Sequence, residues 1–245
     1  MLVVVDGTWS MNFNSDDNGE DPSGRAIGNS EDDIRSNSRR FFEESRYPAN
    51  KKFYFVGPGN GMNGNDSYPI YFNVLRVIER EINSGNCEEL SLVGWSRGAA
   101  IIGELTEGLS ELAGSNSRRG PRVSNGRRTT QATLDNVLSR PMPTIKYVGL
   151  FDSVSMIWRS SPIDRQWGED ITALVQYFAH VTAGDRGSGM GFSYAMRNPD
   201  IQAARSERHH IADATHGGVG GSDGTAHARE AYEFIRNHAN IAGCL

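Results

Sequence analysis

The chain has 245 residues, with 25 Lys+Arg against 30 Asp+Glu and a formal net charge of −5. That length suits a single α/β domain spanning residues 1–245. No apolar run approaches the roughly 18 residues of a membrane-spanning helix, and an acidic chain makes a poor partner for nucleic acid. Glycine is abundant, 28 residues or about 11% against a usual ~7%, without any collagen-like period, so the excess belongs in tight turns. The two cysteines, Cys87 and Cys244, have no partner at metal-ligand spacing and make no disulfide framework. They point to a reducing compartment or to indifference to redox state.

Met1–Asp6 carries no basic leader, and its apolar run is shorter than that of a signal peptide. A cytoplasmic location is expected, with leaderless secretion as the alternative. Leu2–Val5 reads as a buried strand, ended by Asp6-Gly7-Thr8. Residues 14–33 are polar and acidic and read as a surface loop; Asp16, Asp17 and Asp21 do not fit calcium-loop spacing. A helix over 31–46 carries Ile34, Phe41 and Phe42. Phe53–Val56 is a second strand, followed by a turn over Gly57–Gly61. Tyr71, Val74, Leu75, Ile78 and Ile82 fall at helical spacing, with Gly85 where the helix stops.

Leu90–Val93 is a third strand, followed by a second strong helix with Ile101, Leu105, Leu109 and Leu112 on one face. Residues 114–130 form a basic surface loop with Arg118, Arg119, Arg122, Arg127 and Arg128; Arg140 lies further on. These arginines serve either solubility or an anion-attracting flap. Ile145–Phe151 is a fourth strand, 177–183 a fifth and 209–213 a sixth. Thr225 caps a last helix carrying Ala228, Ala231, Tyr232 and Ile235. Strands alternating with helices predict a mostly parallel central sheet with helices on both faces.

The chemistry concentrates in Leu90–Ala100, which runs from strand through Gly94-Trp95-Ser96-Arg97-Gly98 into an amphipathic helix. In that context G-x-S-x-G is a nucleophile elbow, with the serine on a sharp, strained strand-to-helix turn. Gly94 and Gly98 leave room for neighbouring backbone, and the Arg97 N–H can stabilise an oxyanion. A serine hydroxyl needs a base and an orienting acid, which in this fold class follow in the order Ser, Asp/Glu, His. Asp152 ends the Ile145–Phe151 strand and is the leading acid, with Asp164, Asp185 and Asp213 as rivals. Among the six histidines, His180 reads as packed in a strand, and His227 and His238 as surface residues of the last helix; His209 and His210 remain open. His216, set in a glycine loop with Gly217-Gly218-Val219-Gly220-Gly221, is the leading base. A second oxyanion donor is expected from the N–H of Gly7 or Thr8. Asp6 either joins the site or holds this loop by accepting backbone hydrogen bonds.

Several segments together resemble an α/β-hydrolase family long catalogued as a domain of unknown function. It includes the first group of type VI secretion lipase effectors, which are phospholipases. The segments are Val5–Trp9, Gly94–Ala99, Gly149–Val154, His180–Arg186 and His216–Gly221, in the family's order. The resemblance implies an α/β-hydrolase-like fold with Ser96 as nucleophile, Asp152 as acid and His216 as base. The chain departs from the family at Ser10, where Asn is usual, and at Gly217-Gly218, where Ser-Asp is usual. A serine hydrolase of lipid or other acyl esters is therefore expected, a phospholipase among the candidates, with no metal or organic cofactor. The alternatives are a triad hydrolase of peptide, thioester or sugar-acetyl substrates, and a catalytically silent binding module.

Overall fold

The computed structural model describes residues 1–7, 36–58, 67–114, 138–154, 171–185, 201–221 and 225–245. The elements run β1 (Leu2–Val5), α1 (Asn37–Glu44), β2 (Lys52–Phe55), α2 (Ser67–Asn83), β3 (Glu89–Trp95), α3 (Arg97–Gly114), β4 (Thr144–Phe151), β5 (Val175–Asp185), β6 (Arg205–Thr215), α4 (His216–Gly220) and α5 (Ala226–Ile241). The six strands form one sheet in the order β2-β1-β3-β4-β5-β6. Among the described residues every pairing is parallel, in line with the expected mostly parallel sheet.

The central strands are mostly apolar because both of their faces are covered. Successive side chains point to opposite faces. Val3 and Val5 join Leu90, Leu92 and Val148 in the core under α2 and α3, where Val74, Leu75, Ile78, Ile101, Leu105 and Leu109 are buried. Leu2 and Val4 join Val93, Trp95, Tyr147 and Phe151 in the core under α1 and α5, with Phe41, Tyr232 and Ile235. The expected α/β arrangement, helices on both faces of a parallel sheet, is thus present. α2 ends as expected, with Gly85 in the left-handed region at φ 76°. Thr225 caps α5 by accepting from the Ala228 N–H.

Several boundaries differ from the sequence reading. The second strand is Lys52–Phe55, the fifth Val175–Asp185, and the sixth extends to Arg205–Thr215. Among the described residues β6 pairs only with β5 and lies at the sheet edge, and most of its side chains meet solvent. Its polar sequence hid all but a short stretch of it. α1 is Asn37–Glu44, shorter than the expected 31–46. Ile34, the loop over 14–33, Gly59–Gly61 and residues 115–130 lie outside the described residues.

The chain passes from β1 to β2 on one side, then crosses over to β3 on the other. In open parallel sheets, ligands bind outside the carboxyl ends of the strands at such a reversal of strand order. Asp6, Ser96, Asp152 and His216 each follow directly on the end of a strand, β1, β3, β4 and β6 respectively.

Candidate active site

Ser96 separates β3 from α3 with a φ of 57°, in the left-handed region that side-chain-bearing residues avoid. Asp152, just past β4, has a φ of 38°. Among the described residues these are the two non-glycine positions with positive φ. The tight elbow explains its flanking glycines. A Cβ on Gly94 would lie 2.7 Å from the Ala99 Cα, and one on Gly98 would collide with the Val5 and Asp6 carbonyl groups. Backbone bonds hold the turn: the Ser96 N–H donates to the Phe151 carbonyl (3.0 Å), and the Ser96 carbonyl accepts from the Ala100 and Val154 N–H groups.

His216 bridges the other two. Its Nδ1 lies 2.7 Å from Asp152 Oδ2 and its Nε2 lies 2.9 Å from Ser96 Oγ. A carboxylate only accepts, so Nδ1 carries the proton and donates to Asp152. In the neutral ring Nε2 is then the lone-pair nitrogen and accepts from the Ser96 hydroxyl. The second Asp152 oxygen accepts from the Ala183 N–H (3.1 Å). Asp152 is 1% exposed and Ser96 4%. The His216 side chain retains 23% exposure and is the member of the trio that reaches solvent.

His216 does not sit in an open glycine loop, as its sequence suggested. It is the first residue of α4, a single helical turn capped by Thr215 Oγ1, which accepts from the Gly218 N–H. Gly221, at φ 88°, closes the turn. The Asn37 amide donates to the Val219 carbonyl (2.9 Å) and the Ala228 carbonyl (2.8 Å), fastening this turn and the start of α5 to α1.

In the loop after β1, the Gly7 N–H donates to Asp6 Oδ1 (2.7 Å). Thr8 lies outside the described residues. Asp6 takes the other role foreseen for it and holds the loop. Its carboxylate, 1% exposed, also accepts from Ser36 Oγ (2.6 Å), Ser38 Oγ (2.6 Å) and the Tyr54 hydroxyl. Burial, and then the Asp6 carboxylate, push the Tyr54 phenol well above its ordinary range, so it stays a donor. Arg97, which was expected to supply an oxyanion donor, is buried and begins α3. Its N–H stands at the positive end of that helix dipole.

Of the rival acids, Asp213 is exposed on β6, Asp185 ends β5, and Asp164 lies outside the described residues. His180 is buried, as expected, and its Nε2 accepts from the Ser153 N–H (3.3 Å). His238 corrects the surface reading: it is half-buried, with Nδ1 2.6 Å from the Tyr177 hydroxyl. Ser36, Asn37 and Ser38 were not singled out from sequence. The available signal was a run of three short polar residues, separated only by Arg39 and Arg40 from the apolar Phe41-Phe42 pair, where a capping run alone would not need to be buried. Among the described residues no group of three or more His, Cys, Asp or Glu side chains could hold a metal ion.

A buried carboxylate, an imidazole and a hydroxyl joined in this order can move a proton off the hydroxyl as it attacks an electrophile. No protein-family model and no curated protein matches the chain. Among solved structures the chain is similar to a Tle1 effector bound to the VgrG spike of the type 6 secretion system. The TM-score is 0.40 and the identity 13%, over 76% of this chain and 40% of that chain.

Proposed function

We propose that the chain is a serine hydrolase of carboxylic esters, with lipid or other acyl esters as the substrate class. One observation carries the reading: a continuous hydrogen-bonded path from Asp152 through His216 to a hydroxyl on a left-handed turn. Ser96 Oγ attacks the ester carbonyl while its proton passes to His216 Nε2. The tetrahedral oxyanion is held by the Arg97 N–H, with the second donor drawn from Gly7 or Thr8. Collapse expels the alcohol, which takes the proton from Nε2, and leaves an acyl group on Ser96. Water then attacks that ester, giving its proton to His216, and the carboxylic acid departs as the proton returns to Ser96. Asp152 keeps the Nδ1–H tautomer and steadies the imidazolium. His216 Nε2 relays one proton from Ser96 to the alcohol and one from the water to Ser96.

A panel of p-nitrophenyl esters of increasing acyl length, with phospholipid vesicles alongside, tests the proposal against Ser96→Ala. The expected result is turnover of at least one ester by the wild type and a loss of about 10⁴-fold or more in the variant. Turnover confined to thioesters, peptides or acetylated sugars would move the substrate class and keep the triad. Equal turnover by both proteins, or none by a folded wild type on any acyl substrate, would overturn the proposal and favour a binding module.

A further inference from the structure

Trp95 is the last residue of β3 and directly precedes Ser96, yet its side chain serves a different partner. Its ring stacks on the His216 imidazole, with centroids 5.8 Å apart and planes inclined by 30°. The indole fills the space between two glycines. A Cβ on Gly7 would lie 2.8 Å from Trp95 Cδ2, and one on Gly220, in the same helical turn as His216, would collide with the indole at Cε2, Cζ2 and Nε1. One side chain therefore spans from the loop after β1 to the turn that carries the imidazole.

The indole is buried, and its Nε1 has no hydrogen-bond partner among the described residues. A buried Trp N–H ordinarily finds an acceptor, and leaving it unpaired is costly. Phenylalanine would fill much of the same space without that cost. What indole adds is the most electron-rich face among the side chains, and such a face attracts a cation within about 6 Å of its centroid. In the ester-hydrolase scheme His216 is neutral before attack and positively charged in the transition state. A face that favours the charged form contributes mainly in the transition state, which is where an interaction raises kcat.

We propose that Trp95 is a positioning residue for the reaction, its indole face holding and stabilising the His216 imidazolium that forms as Ser96 attacks. The inference rests on the triad reading under Proposed function, but part of its test does not. The Asp152 carboxylate, which meets His216 Nδ1, remains unchanged in every variant.

The test compares Trp95→Leu, which removes the aromatic face, with Trp95→Phe, which restores a weaker one. A third protein carries multiply fluorinated tryptophan at position 95 alone, keeping the shape while withdrawing electron density from the ring. Hydrolysis of the best ester substrate and the NMR titration of the His216 Cε1–H are followed in each. Trp95→Leu is expected to lower kcat about 5- to 30-fold with KM within about twofold, and to lower the His216 titration midpoint by roughly 0.5–1.5 pH units relative to wild type. Trp95→Phe and the fluorinated protein are expected to fall between the two. The fluorinated protein decides the matter if Trp95→Leu does not fold. Equal midpoints in wild type and the fluorinated protein would overturn the proposal, as would equal losses in the Leu and Phe variants. A wild type that hydrolyses no ester would refute the triad reading, and the titration would still decide whether the ring stabilises the imidazolium.

Discussion

Ser96 and Asp152 occupy left-handed backbone at the ends of neighbouring strands, and each turn is tied to the other's strand end. The Ser96 N–H donates to the carbonyl of Phe151, and the Ser96 carbonyl accepts from the Val154 N–H, two residues beyond Asp152. The two side chains thus start from a shared rigid frame, and His216 has only to reach between them. Such backbone costs about 1–3 kcal/mol per residue and persists where the surroundings impose it. Ser96→Gly and Ser96→Ala both remove the hydroxyl, but only glycine relieves the strain. Chemical denaturation is expected to find Ser96→Gly more stable than Ser96→Ala by about 1 kcal/mol, with both inactive. Equal stabilities would show that the elbow is not strained.

Asp6 makes a second prediction. Its carboxylate accepts from Gly7, Ser36, Ser38 and Tyr54 in a buried site. Asp6→Asn keeps the shape but replaces one accepting oxygen with a donor, leaving hydroxyl and N–H donors facing an NH₂ group. A loss of about 2–4 kcal/mol is expected, together with a fall in kcat as the loop leading to Thr8 shifts. A variant as stable as wild type would mean that these hydrogen bonds do not hold the loop.

Asn37 joins α1 to the turn bearing His216 and to α5 through two hydrogen bonds from one amide. Asn37→Ala leaves the Val219 and Ala228 carbonyls without that donor and is expected to cost about 1–3 kcal/mol. The informative readout is kinetic. With substrate saturating, kcat is expected to fall severalfold while KM changes little, because the imidazole loses its brace and the substrate loses no contact. Unchanged kcat in a folded variant would confine Asn37 to stability.

Much of the sheet is legible in the sequence because its central strands are covered on both faces. Leu2–Val5 is a continuous apolar run for that reason, and Leu90–Val93 and Ile145–Phe151 are apolar apart from Ser91 and Lys146. β6 is less legible because an edge strand keeps only Ile211 and Ala214 fully buried and otherwise faces solvent. At the site, the G-x-S-x-G spacing records a local steric need, and so Ser96, Gly94 and Gly98 stand out. The placing of His216 depends on distant groups. His-Gly-Gly-Val-Gly has little helical propensity, and it turns helical under the Thr215 cap and the Asn37 amide, 182 residues away from Val219 in the chain. A tight turn after a strand suits both an oxyanion donor and an N–H satisfied by the preceding aspartate, and nothing in residue order separates the two roles for Gly7.

Away from the site, Glu79 on α2 is buried, and its Oε1 has no hydrogen-bond partner among the described residues. Burial raises its carboxyl from the ordinary 4.5 to about 7, opposed by Arg76. The folded state therefore holds the proton more tightly than the unfolded chain. The stability this gives is full below about pH 4.5 and is lost as pH rises through about 7. Glu79→Gln stays neutral throughout. After a discount for solvent screening, it is expected to gain about 1–2 kcal/mol over wild type at pH 8 relative to the difference at pH 4.5. Urea titrations at the two pH values measure this, and a pH-independent difference would contradict it.

The most direct measurement for the central claim is intact-mass analysis after reaction with a fluorophosphonate, comparing wild type, Ser96→Ala, His216→Gln and Asp152→Asn. The account predicts one adduct on the wild type, mapped by peptide sequencing to Ser96, and none at that site in Ser96→Ala. Labelling of the His216 and Asp152 variants should be slowed by about 10³-fold or more. A folded wild type that takes up no label, or an adduct that persists in Ser96→Ala at the wild-type rate, would contradict it.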